Sequence, residues 1–167
     1  MRILETDRLI LDEFTPADAP FILELLTDPS FVDNIGDRGL KSLDDARTYI
    51  ENGPKVAYAT FGFHMWRVTE KASGEACGMC GLIKREGLDD VDVGYAFLPR
   101  FWGRGYAVEA AAACLEWGRR EKGLARIVAI IKPGNAASAK VLGKLGMVAA
   151  GEIELPAGVS ELYVPAG

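Results

Sequence analysis

The sequence predicts an α+β fold, a mixed and mostly antiparallel sheet of about seven strands with helices on both faces. Three observations carry this. Strand-like segments follow one another between Tyr58 and Leu98, helices and strands alternate after Leu98, and no linker, repeat or low-complexity tract splits the chain. With 167 residues, the span 1–167 reads as a single domain that can bury most of its apolar surface without disulfides or metals.

The elements are read in order. Arg8–Phe14 is the first expected strand. Thr15-Pro-Ala-Asp18 then opens a helix: Thr can cap, Pro suits the first turn, and Asp stands three residues after the cap. Phe21, Ile22, Leu25 and Leu26 recur at helical spacing, and Asp28-Pro29 ends the run. Pro20 forfeits an early backbone bond, which points to a later start. Ser42–Asp45 repeats the capping pattern for a short helix to Asn52, stopped by Gly53. Strands are expected over Tyr58–Val68 and Ala76–Ile83, joined as a hairpin through Glu70–Gly74. In Val91–Leu98, Val91, Val93, Tyr95 and Phe97 share one face, and Asp92, Gly94 and Ala96 the other. Pro99 closes that strand. A helix spans Gly103–Lys122 to a stop at Gly123, and Ala125–Ile131 is a β-branched, buried strand. After the Pro133-Gly134 turn, an amphipathic helix covers Asn135–Leu145. Short strands near Val148–Leu155 and Glu161–Val164 finish the chain.

Composition narrows the function. Apolar residues at 49% and charged residues at 26% exclude disordered and fibrous classes. Nineteen Lys and Arg against 24 Asp and Glu give a net charge of −5, which argues against a nucleic-acid partner. Three cysteines do not make a disulfide framework. The opening residues hold no signal-peptide core, and no run has the apolar length to span a bilayer, so a cytoplasmic protein without a membrane partner is expected. Cys77-x-x-Cys80 has one further Cys and only His64 to draw on, too few for a zinc site. No metal is expected, and the two cysteines should pack on opposite faces of a strand.

The chemistry concentrates in two stretches. In Leu98-Pro-Arg-Phe-Trp-Gly-Arg-Gly-Tyr-Ala107 a strand ends, two glycines alternate, and a long helix begins. Such a helix start presents unpaired N–H groups and partial positive charge to phosphates, and glycine allows close approach. Arg100 and Arg104 add full charges. No Gly-Lys-Ser/Thr follows, as a nucleotide triphosphatase loop requires, and Val108 stands where a dinucleotide fingerprint has its third glycine. In Pro133–Met147, Asn135 can cap the helix, Ser138 lies one turn in, and Lys140 and Lys144 share a face.

Together, Arg100-x-x-Gly103-x-Gly105 and, about thirty residues later, Asn135-x-x-Ser138-x-x-x-Leu142-x-Lys144-Leu-Gly-Met147 closely resemble the GNAT superfamily of acetyl-CoA-dependent N-acetyltransferases. Leu4–Leu11 and the block from Gly94-Tyr95 to Tyr106–Ala110 look like its ribosomal-protein alanine N-acetyltransferase branch. The resemblance covers Leu4 to about Met147. It implies that acetyl-CoA is bound by Phe97, Leu98, Arg100, Gly103, Arg104, Gly105, Tyr106, Ala107, Asn135 and Lys144. Within that set the loop amides hold the pyrophosphate, Phe97 and Leu98 pair with the pantetheine arm, and Asn135 contacts the co-substrate beyond the thioester. It implies that the Ala76–Ile83 and Val91–Leu98 strands splay apart to admit it. The acceptor is an amine, on a protein N-terminus or a small molecule, and the branch often forms homodimers. Direct attack in a ternary complex would use a backbone N–H near Leu98 on the thioester carbonyl. The helix tyrosine that serves many family members as acid is Leu142 here, so Ser138, near the sulfur, is the expected proton donor. Asp92 is the expected base or amine contact, although a lone exposed aspartate of pKa ~3.9 is a poor base unless it acts through water. A CoA-binding module without turnover, or an interaction domain on the same fold, are the alternative readings.

Overall fold

The computed structural model describes Met1–Gly167. Its strands are β1 (Arg2–Glu5), β2 (Leu9–Asp12), β3 (Met65–Glu70), β4 (Ala76–Ile83), β5 (Val91–Phe97), β6 (Ile127–Ile131), β7 (Met147–Leu155) and β8 (Gly158–Pro165). They form one sheet in the order β1-β2-β3-β4-β5-β6-β8-β7, antiparallel except where β5 meets β6. The sheet therefore has eight strands rather than seven. The extra one, β1, is four residues long, too short for alternation to register, and is held by pairing with β2.

Helices flank the sheet: α1 (Ala19–Thr27), α2 (Pro29–Asn34), α3 (Leu43–Asn52), α4 (Pro54–Phe61), α5 (Tyr106–Lys122) and α6 (Ala136–Lys144). Thr15–Asp18 is a capped 3₁₀ turn, in which Asp18 Oδ2 accepts from the Thr15 N–H at 2.9 Å, and α1 follows it with Pro20 in its first turn. Asp28-Pro29 ends α1 and also starts α2, because Asp28 Oδ1 accepts from the Ser30 N–H at 2.9 Å. The expected strand from Tyr58 is corrected. Pro54 fits a first helical turn, Ala57, Tyr58 and Phe61 recur at helical spacing, and Gly62 ends α4 at φ +84°. The strand begins only at Met65.

One apolar core joins the sheet to α1, α3, α5 and α6. Helix α5 lies over β4 and β5, and α6 over β6 and β7. Trp66 of β3 packs edge-on to Trp117 of α5 with ring centroids 4.8 Å apart. Gly118 lets α5 come this close, since a Cβ there would stand 2.7 Å from Leu82 Cδ1. Cys80 Sγ meets Cys114 Sγ of α5 at 3.7 Å, while Cys77 Sγ donates to the Val68 carbonyl. All three thiols are buried, and burial pushes Cys77 up to about 12 and Cys114 upward. No group of three or more His, Cys, Asp or Glu is arranged to hold a metal, and no helix is long and apolar enough to cross a membrane.

Candidate active site

Strand β5 positions the site. It pairs with β4 without interruption from Ile83↔Asp92 to Gly78↔Phe97. Its parallel pairing with β6 stops after Val91↔Ile127 and Asp92↔Val128, and β6 continues with β8 instead. The splay thus lies between β5 and β6, which corrects the expected opening between Ala76–Ile83 and Val91–Leu98. Ladder bonds hold β4 and β5 shut, whereas strands that diverge beyond Asp92 leave one edge of β5 unpaired. Leu98 N–H donates to the Cys77 carbonyl at 3.0 Å, on the β4 side. Strand alternation then turns the N–H groups of Tyr95 and Phe97 toward the gap. An amide near Leu98 that faces a ligand is therefore that of Phe97, because Leu98's own is engaged. The Phe97 carbonyl already accepts from Trp102 Nε1 at 2.8 Å.

The open edge of β5 is followed in the chain by the loop before α5. Gly103 and Gly105 sit at φ +78° and +79°, and Gly105 is the N-cap, with no side-chain cap on the helix. From Gly103 to Val108 no backbone N–H donates to another protein group; Glu109 N–H is the first to do so, to the Gly105 carbonyl at 3.1 Å. Six consecutive free amides at a helix start form an anion cradle.

The side chains around this loop brace it. Glu70, 5% exposed at the end of β3, accepts from Tyr106 Oη at 2.6 Å and from Arg104 Nη1 at 2.7 Å. The Tyr106 hydrogen bond, with those of Ser73 and Arg104, holds the Glu70 carboxyl below the usual carboxylate range. Arg8 donates to the Arg104 carbonyl at 2.8 Å and to Glu109 Oε1 at 2.7 Å, and Thr6 Oγ1 donates to Glu109 Oε2 at 2.6 Å. Although desolvation opposes it, the Thr6 and Arg8 bonds hold Glu109 below its ordinary range. Arg100 pairs with Glu24 at 3.0 Å. Arg100 and Arg104, read from the sequence as full charges beside the phosphates, each pair with a carboxylate, and both side chains stay about half exposed.

The other expected residues divide between the two sides of the gap. Asp92 is not a lone exposed carboxylate. It is 1% exposed, and both its oxygens accept from Arg85, Nε at 3.0 Å and Nη2 at 3.1 Å. Burial raises its pKa, with Arg85 working against the rise. His64, also buried, is pushed down to about 4 by burial and so stays neutral. Asn135 caps α6, its Oδ1 accepting from the Ser138 N–H at 3.1 Å. The Ser138 carbonyl accepts from the Tyr95 hydroxyl at 3.3 Å, so β5 and α6 touch across the gap. Ala107 is half-buried in the first turn of α5, and Lys144 is exposed in the last turn of α6. Leu142 is fully buried core.

Residues 8–148 match the family described as acetyltransferase (GNAT) domain. This chain belongs to that family. The GNAT chain is 35% identical over 147 residues to the uncharacterized protein YkkB of Bacillus subtilis, an alignment that covers 86% of this chain and 84% of YkkB. In structure it resembles a ribosomal-protein-S5-alanine acetyltransferase from Vibrio fischeri (TM-score 0.76, 19% identity, 99% of this chain and 96% of the other). It also resembles the aminoglycoside acetyltransferase AAC(6')-Ib in complex with coenzyme A (TM-score 0.77, 18% identity, 95% and 94%). At those identities the two likenesses show the fold alone, and the ribosomal-protein branch is one of several structural neighbours.

In this GNAT protein two parts of the site escape sequence reasoning. Thr6, Arg8 and Glu109 meet across about a hundred positions, with no local pattern to announce it. Tyr95 reads only as one alternating residue of β5, because its hydrogen bond to α6 joins positions 43 apart. The paired arginines also lower the salt dependence that three free cations, Arg100, Arg104 and Lys144, would give. Where phosphates meet amides and arginines already shared with carboxylates, salt should weaken acetyl-CoA binding only modestly, by less than about tenfold between low and near-molar salt. Calorimetric titration at several ionic strengths checks this, and a steep fall would mean that Arg100 or Arg104 leaves its carboxylate to bind phosphate.

Proposed function

We propose that this protein transfers the acetyl group of acetyl-CoA to a primary amine, on a protein N-terminus or a small molecule, by direct attack in a ternary complex. The observation that carries this is the unpaired edge of β5, followed in the chain by the free amides of Gly103–Val108. Family membership and the coenzyme A complex of a structural neighbour support it. The pantetheine arm would add to β5 as an extended strand, the pyrophosphate would sit on Gly103–Ala107, and Asn135 and Ser138 would line the thioester from α6. Lys144, exposed and without an ion pair, is the one proposed cation left free. The N–H of Phe97 would polarise the thioester carbonyl as negative charge grows on its oxygen.

On the amine side, Asp92 would take the departing proton by way of water. Burial makes it a better base than an ordinary aspartate, since a raised pKa brings a carboxylate nearer its operating pH. Arg85 is the counter-ion of Asp92 and fixes its orientation by donating to both carboxylate oxygens.

The test is thiol release from acetyl-CoA with a panel of N-terminal peptides, amino sugars and polyamines. All three cysteines are buried, so the native protein adds little background to a thiol reagent. Acetyl-CoA at a hundredfold over its dissociation constant should add about 2.7 kcal/mol of stability. Stabilisation without turnover on any amine would favour the binding-module reading, and no stabilisation would favour a bare interaction domain.

A further inference from the structure

Acyl transfer has a sulfur side as well as an amine side, and Leu142, at the helix position where the resemblance implies a tyrosine acid, is fully buried and has no proton to give. We propose that Tyr95, reaching across the β5–β6 gap to the first turn of α6, is the proton donor to the leaving sulfur. This rests on the acyl-transfer reading above.

Position comes first. Tyr95 lies three residues beyond Asp92, the last residue of β5 that pairs with β6, where the strand edge is open. Its hydroxyl stands 3.3 Å from the Ser138 carbonyl, at the end of α6 where Asn135 and Ser138 would face the thioester. That bond is long for an O–H donor, so it orients the phenol without holding the proton tightly.

Chemistry separates the two hydroxyls present. A phenol ionises near pKa ~10, within reach of a thiol near ~8.5, whereas serine would have to yield an alkoxide. The titratable groups beside Tyr95 are the Cys80 thiol of β4 and the Tyr163 phenol of β8, and α6 presents the neutral Ser138. Burial pushes Tyr95 up to about 12, so it carries its proton throughout the neutral range. The same desolvation makes a thiolate formed beside it more basic, which keeps donor and acceptor matched.

The step balances. The amine nitrogen bonds to the thioester carbon as the carbon–sulfur bond breaks. The electron pair leaves with sulfur, and sulfur takes the Tyr95 proton. The proton shed by the amine passes through water to Asp92 and on to solvent, and solvent restores the phenol.

The experiment compares wild type with Tyr95→Phe, Ser138→Ala and a protein carrying 3,5-difluorotyrosine at position 95. Tyr95→Phe should lower kcat about 10²-fold with little change in the KM for acetyl-CoA. Ser138→Ala should lose less. The fluorinated phenol is more acidic and nearly isosteric, so it should bring an alkaline limb of kcat into the accessible pH range, which a packing role could not do. Tyr95→Phe within twofold of wild type, a loss confined to KM, or no new limb in the fluorinated protein would overturn the proposal. Wild type that binds acetyl-CoA but releases no thiol with any amine would overturn the acyl-transfer reading, and this proposal with it.

Discussion

Gly105→Val is expected to raise the dissociation constant for acetyl-CoA at least tenfold, about 1.4 kcal/mol, while the protein remains folded. At φ +79° Gly105 occupies the left-handed region, where a β-branched residue is an outlier costing roughly 1–3 kcal/mol. The new Cβ would meet only Arg8 Nη2, at 3.5 Å, so the fold has room for it. The loop does not have the conformation for it. To relieve the strain, the peptide units on either side of position 105 must rotate, and the amides of Gly103–Val108 then cease to converge. Titration calorimetry on the folded variant, with a denaturant midpoint as control, reads both effects. Unchanged affinity would mean the phosphates bind elsewhere.

Arg85→Met should cost about 3 kcal/mol of stability at neutral pH, because it leaves the Asp92 carboxylate buried without its partner. For a chain of this size that lowers Tm by roughly 6–12 °C. The pH dependence has a definite sign. Asp92's folded pKa is raised, so the folded chain holds that proton more tightly than the unfolded chain does. Its contribution is least favourable above the raised value, and the penalty shrinks as pH falls through it toward the unfolded ~3.9. Without Arg85 the folded value rises further, and the gap between wild type and variant should narrow as pH falls. Denaturant midpoints of both proteins across the acid range measure it. A gap that stays constant would mean that Arg85 acts through packing alone.

Local patterns carried most of the architecture. Ser42 caps α3 as its spacing implies, its Oγ accepting from the Asp45 N–H at 3.1 Å. The alternation in Val91–Phe97 places Tyr95 toward α6 and Asp92 toward Arg85, on opposite faces. The loop from Arg100 to Ala107 is legible as a glycine-rich turn into a helix, because glycine spacing and a helix start are both local signals. What escaped depends on distance in sequence. Tyr58–Phe61, expected as the start of a strand, is the end of a helix; the proline at position 54 and the glycine at position 62 decide for it. The ion pairs Arg104–Glu70 and Arg100–Glu24 join residues 34 and 76 positions apart, so loop arginines that look free in sequence are engaged in the fold. The place where the sheet opens is likewise a matter of which strands are neighbours, and no single strand encodes that.

An exposed strand edge invites another chain to pair with it, and the outer edges of this sheet are guarded in the usual way: β7 carries Glu152 and Glu154, and β1 carries Arg2 and Glu5. The unpaired stretch of β5 has no such guard, since Tyr95, Ala96 and Phe97 are uncharged. It needs none. It lies inside the sheet, with β6 across from it, and α5 and α6 covering the strands on either side. A fold that opens in the middle rather than at its rim leaves free amides within reach of a thin extended molecule, such as the proposed pantetheine arm, while denying them to the strands of other proteins, so this edge is shielded from edge-to-edge aggregation.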